Sequence, residues 1–223
     1  MKKIYAAVIF LVTFLLSPFI GLGQPTGIDS LKNILKSHSQ NSEQYIDLLN
    51  EIAFSYRDNT PDSTMAYARR AIKLSSQIGY QRGQAIAMNR VAMVKKDRGN
   101  YNEALRNYRK STAIRIAIAD SIGVANNYSN IGNVFKTIAS YDSAIAYYHK
   151  ALRMQTALKD SIEMARTMNN LGSAYNATKD TEQGLAFLRK GLHIRIRLGD
   201  YSSIGNSHIN MGTSFARGGN LDS

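Results

Sequence analysis

The side chains able to do chemistry on this 223-residue chain are mostly amides. Asn126, Ser129, Asn130, Asn133, Lys136 and Thr137 fall on one side of a helical spacing. An amide donates and accepts hydrogen bonds at once, which suits it to grip an extended peptide backbone. Reactive constellations do not accompany these amides. His38, His149, His193 and His208 stand far apart, each without a second ligand three or four residues away. No H-E-x-x-H, Walker loop or Gly-x-Ser-x-Gly occurs. The glycines that recur in phase, Gly132, Gly172 and Gly212, are single and intrahelical, unlike a phosphate cradle. Asp58, Asp160 and Asp200 sit at turns, where a carboxylate caps a helix. His149 and His193 read as surface residues. No catalytic residue, metal site or cofactor is expected, and the chain reads as a non-enzyme.

The elements that position these amides follow from the apolar residues between them. Tyr128, Ile131, Gly132, Phe135 and Ile138 recur at i, i+3, i+4, i+7 and i+10, one face of a helix ending near Ala139-Ser140. Tyr141, Ala144, Ile145, Tyr148, Ala151 and Leu152 mark a second helix, and so short a link imposes an antiparallel pair. The pair then repeats. Gly132, Gly172 and Gly212 each follow an apolar residue (Ile131, Leu171, Met211) and precede an aromatic by three (Phe135, Tyr175, Phe215). Asn130, Asn170 and Asn210 keep the same interval of 40, as do Asp120, Asp160 and Asp200. Such a period means stacked copies of one supersecondary unit. A glycine inside a helix costs roughly 1 kcal/mol against alanine, so three in phase imply a close helix-to-helix approach.

Phasing the remaining residues gives an array of about four and a half units over 45–223: 45–80, 84–120, 124–160, 164–200 and a truncated 204–223. Thr60 reads as an N-cap with Pro61 in the first helical position. Asp29-Ser30-Leu31 with Ile34 and Leu35 reads as a short helix covering the open end of the stack, within a linker and capping segment at 24–44. Ser37 to Ser42 breaks the two apart. The last unit stops at Leu221-Asp222-Ser223, which aligns with the start of a second helix at Tyr141-Asp142-Ser143. A longer polypeptide is therefore expected.

Asn130-Ile131-Gly132-x-x-Phe135, then Tyr141-x-x-Ala144 and Tyr148-x-x-Ala151, resembles the tetratricopeptide repeat. Asn170-Leu171-Gly172-x-x-Tyr175 and Asn210-Met211-Gly212-x-x-Phe215 repeat its first half, and Gly99-Asn100-Tyr101-x-x-Ala104 with Tyr108 its second. Departures are Lys95 at an aromatic position, weakening at Gly184, Leu188 and Gly191, and the period of 40 in place of 34. The resemblance implies an all-α, right-handed superhelical solenoid of antiparallel helix pairs, whose first helices line a groove for a protein or peptide partner. Carried onto this chain, the groove positions are Asn89, Arg90, Lys96, Asn126, Ser129, Asn130, Asn133, Lys136, Arg166, Asn169, Asn170, Ser173, Asn176, Asn206 and Asn210. Ser129 and Asn169 stand where the family's carboxylate clamp has Lys, so carboxylate capture by that clamp is not expected.

Lys2 and Lys3, an apolar run from Ile4 to Ile20 and the small residues Gly21-Leu22-Gly23 match a secretory signal, with cleavage expected after Gly23. Retained, the same run would be a membrane anchor. Export places the protein in the periplasm or cell envelope, and with no cysteine its stability rests on helix packing. The net charge of +12 comes partly from Arg106, Arg109, Lys110, Lys150, Arg153, Arg189 and Lys190, a solvated face of the second helices. An anionic polymer is the alternative partner for that face; nucleic acid is not expected for an exported segment. The layout also resembles the sensory front of bacterial envelope signalling proteins. In that alternative a spanning helix and a histidine kinase or DNA-binding output domain follow residue 223 and tether the array to the membrane.

Overall fold

The computed structural model describes residues 27–217, which form ten α-helices and no strand among the described residues. A short α1 (Ile28–Lys36) is followed by α2 (Glu43–Ser55) and α3 (Pro61–Ile78). Next come α4 (Gln81–Asp97), α5 (Tyr101–Ala117), α6 (Ser121–Thr137) and α7 (Tyr141–Ala157). The array continues through α8 (Ser161–Ala177), α9 (Thr181–Leu198) and α10 (Tyr201–Arg217). The signal-like leader and the segment after Arg217 lie outside the described residues.

Each helix packs on its sequence neighbours, and the first helices of successive pairs also meet, α2 with α4, α6 with α8 and α8 with α10. The second helices pack against their sequence neighbours instead, so the first helices form the inner, shorter arc. The result is an all-α solenoid. Its apolar core is spread along the stack in successive clusters, such as Tyr45, Ile46, Leu49 and Ile52 at one end and Ala144, Tyr148, Leu171 and Ala174 towards the other. Leu35 of α1 is buried in the first cluster, against α2.

Every link from α3 onward uses one residue in the left-handed region. Gly79, Gly99 and Gly199 take it easily, but Ala119, Ala139, Lys159 and Lys179 take it as well, at φ of 56°, 58°, 56° and 67°. The next residue's N–H then donates back to the last helical turn, as Ser140 N does to Phe135 O at 2.9 Å and Asp160 N to Gln155 O at 2.9 Å. Asp120, Asp160 and Asp180 cap the following helices by accepting from Gly123, Glu163 and Gln183 N–H. Two expected caps differ. Thr60 makes no side-chain cap, although Pro61 does open α3, and Asp58 pairs with Arg57 at 3.2 Å inside the turn.

The glycine phase marks close packing where a second helix covers it. A methyl group on Gly132 would lie 2.6 Å from the Tyr148 ring, and one on Gly172 would lie 2.5 Å from Leu188 Cγ. On α10, Gly212 has nothing within 4 Å among the described residues. His149 is not a plain surface residue: its Nε2 lies 3.0 Å from the Tyr175 hydroxyl and its ring stands edge-on to Phe187, so burial holds its pKa below the usual value. His193 is exposed as expected, and so are the seven basic residues of the second helices.

Candidate functional site

The inner face is built from positions 2, 6, 9, 10 and 13 of the first helices, which the helical period gathers on one side. Those positions converge on one hollow of about 480 Å³ between α4, α6 and α8. Asn89, Arg90, Asn126, Asn130 and Arg166 of the expected groove residues line it together. Asn126 and Asn130 are partly exposed, and neither amide has a hydrogen-bond partner among the described residues. Apolar contact comes from Phe54, Ile86, Met93 and Ile122.

The remaining groove residues behave in different ways. Asn133, Lys136 and Asn170 form a closed network. Lys136 Nζ donates to Asn170 Oδ1 at 3.1 Å, and Asn133 Oδ1 accepts from Tyr148 OH at 2.8 Å and from Asn170 Nδ2 at 3.3 Å. Burial pushes the Lys136 ammonium below its usual pKa. Ser129 meets Thr167 Oγ1 at 3.2 Å and accepts from Gln155, while Asn169 accepts from Asn210 Nδ2 at 3.1 Å. Lys96 pairs with Asp97 at 3.0 Å, Ser173 is half-buried and Asn206 is exposed. Asn176, only 4 % exposed, bonds Ser214 between α8 and α10. Asn89 is 7 % exposed and donates to Asn127 Oδ1 at 2.6 Å. Asn127 in turn donates to Ser111 Oγ at 2.8 Å, and that hydroxyl to Ala85 O at 2.7 Å, a buried polar ladder tying α4, α5 and α6 together.

Sequence reasoning missed Arg82, Arg115 and Asp120 at this hollow. Arg115 comes from α5, a second helix, and reaches inward to Asp120 Oδ2 at 2.6 Å. Its passage is written in the sequence as Gly123, because a methyl group there would collide with the guanidinium. Arg166 pairs with Glu163 one turn back. Arg90 lies 4.2 Å over the Phe54 ring, and burial, reinforced by the charges of Arg115 and Arg57, brings its pKa down to about 10.

Comparisons agree with this architecture. A tetratricopeptide-repeat family model matches residues 83–157, and a second model of the same repeat matches residues 164–198. No curated protein sequence matches the chain. Among solved structures, BtubC from P. vanneervenii superposes with a TM-score of 0.73 at 16 % identity, covering 87 % of this chain and 81 % of that one. Aspartyl phosphate phosphatase F from Bacillus subtilis gives 0.75 at 15 % identity, over 83 % of this chain and 49 % of that one. A Rap protein complexed with competence and sporulation factor gives 0.72 at 15 % identity, over 78 % and 49 % respectively. At these identities the likeness is one of fold.

Proposed function

This chain belongs to the tetratricopeptide-repeat family, and we propose that it is a non-catalytic scaffold that binds an extended protein or peptide segment along its inner face. The observation that carries the proposal is the hollow between α4, α6 and α8. There Asn126 and Asn130 present unspent amides beside apolar Ile86 and Met93. A backbone laid across them gains paired donors and acceptors, while its side chains reach apolar surface. The complex named for one structural relative, a Rap protein with competence and sporulation factor, supports the same use of the fold. The phosphatase named for another is a property of that protein, of which this chain spans about half. We further place the protein outside the cytoplasm, in the periplasm or cell envelope, on the signal-like pattern of residues 1–23.

The test is a panned peptide library. Peptides captured by the purified chain lose about tenfold or more in affinity when Asn126, Asn130 and Arg166 are all replaced by Ala, because several peptide hydrogen bonds go at once. Replacing Lys150, Arg153 and Lys190 on the outer face leaves affinity unchanged. The opposite pattern rejects the inner face as the site.

A further inference from the structure

Among the described residues, Arg90 has no anion of its own. Its neighbours are matched: Arg115 with Asp120 at 2.6 Å, Arg57 with Asp58 at 3.2 Å, and Arg166 with Glu163. Arg82 lies within Coulomb range of Asp47. The cations acting on Arg90 are Arg115 and Arg57, both repulsive, and the one opposing influence is the Tyr108 hydroxyl, which carries no full charge. Its Nε is buried and has no acceptor among the described residues, and Nη1 points at the weak acceptor Met93 Sδ, 3.8 Å away. What supports the guanidinium is the Phe54 ring at 4.2 Å, a ring that Arg57 also covers at 3.8 Å. A stack of this kind orients a guanidinium without satisfying its donors. Taking a cation partly out of water without a partner is unfavourable, and an incoming carboxylate reverses that through a charge-assisted, two-pronged bond.

The position of Arg90 restricts what can bring that carboxylate. It borders two hollows, one between α4, α6 and α8 and one beside α2 that also holds Asp47, Glu51 and Tyr80. A chain passing Arg90 therefore continues on both sides, which suits a side chain within a peptide better than its end. Asp47 and Glu51 repel a further acid on the α2 side. Neither Arg82 nor Arg90 has an ion pair among the described residues, but Arg82 acts on Asp47 whereas no carboxylate acts on Arg90, which leaves room there for a single negative charge.

Resting on the inner-face reading above, we propose that Arg90 is a specificity site for one aspartate or glutamate side chain inside the bound peptide, the acid stacking its partner guanidinium above Phe54 while the flanking backbone lies on Asn126 and Asn130. This site is separate from the clamp for terminal carboxylates, whose Lys positions are occupied here by Ser129 and Asn169.

The experiment uses the full chain and random decapeptides acetylated and amidated at their ends. Wild-type protein should enrich Asp or Glu at one position beside an apolar residue. For an enriched peptide, changing that acid to its amide should weaken binding about tenfold, and Arg90→Gln should weaken the parent equally while leaving the amide analogue unaffected. Arg90→Lys should retain part of the preference. Arg90→Gln should unfold at the wild-type temperature or above, since it removes an unmatched cation. Should it fail to fold, the acid-to-amide change against wild type and Arg90→Lys decides instead. Captured peptides without acid enrichment, or equal losses for acid and amide analogues on Arg90→Gln, overturn this site and leave the inner-face reading standing. Selection of free carboxyl ends alone, in a parallel library with unblocked termini, overturns it as well. Captured peptides indifferent to Asn126 and Asn130 sink both readings together.

Discussion

Two stretches of the same inner face treat the same residue types in opposite ways. Where α6 meets α8, Asn133, Lys136 and Asn170 bond one another and the Tyr148 hydroxyl, so their polar groups are spent on holding the stack together. Where α4 meets α6, Asn126 and Asn130 have no partner among the described residues, and Arg90 lies beside them without an acid. All of these residues share one helix face, and neighbouring positions on it are tied into the framework or left unpaired according to what stands opposite. Tyr148 makes the difference at Asn133, because its hydroxyl arrives from α7 just where Gly132 leaves space for its ring. On the proposed reading, recognition resides where the protein has left its own amides unused.

Substitutions sharpen that contrast. The largest loss belongs to the most deeply committed amide. Asn127→Ala takes the acceptor from the buried Asn89 amide and one donor from Ser111, which keeps Ala85 O, and opens a cavity, so we expect about 3 kcal/mol less stability by urea denaturation. A loss below about 1 kcal/mol would mean that the ladder is solvated rather than structural. Gly132→Ala comes next, at about 2 kcal/mol, because the added methyl meets the buried Tyr148 ring. Gly212→Ala, with no described atom within 4 Å of the added methyl, should instead stabilise its helix by about 1 kcal/mol. The smallest effects compare two asparagines three residues apart. Asn133→Ala should cost about 1 kcal/mol, since the Tyr148 hydroxyl loses its acceptor. Asn130→Ala should leave stability unchanged or raise it by about 0.5 kcal/mol, through helix propensity alone. Equal effects at Asn130 and Asn133 would erase the distinction between framework and available amides.

Much of the architecture was legible because the signal was periodic. Pro61, Tyr101 and Tyr141 open helices where the apolar spacing and the turn residues place them, and the phase of Gly132 and Gly172 correctly marks close helix contact. The turns were less legible. Gly99-Asn100 announces a left-handed link, but Ala119, Ala139, Lys159 and Lys179 adopt the same backbone with no residue that advertises it. There, the hydrogen bond to the preceding helical turn and the packing on both sides override a local preference. For the site, the spacing selected the right helix face without dividing it. Whether Asn133 is free depends on Tyr148, fifteen residues away on another helix, and whether Asn89 is free depends on Asn127, 38 residues away. Arg115 escaped notice because it belongs to a second helix and reaches the inner face only through the gap at Gly123.

The proposed binding site lies where amides are left unspent, on the first helices. Backbone amide shifts of isotope-labelled protein, recorded as a library-selected peptide is titrated in, test it most directly. The expected result is a contiguous set of perturbed residues around Arg90, Asn126, Asn130 and Arg166, with the exposed basic face of α5, α7 and α9 silent. Perturbations concentrated at Arg109, Lys150, Arg153 and Lys190 would contradict it.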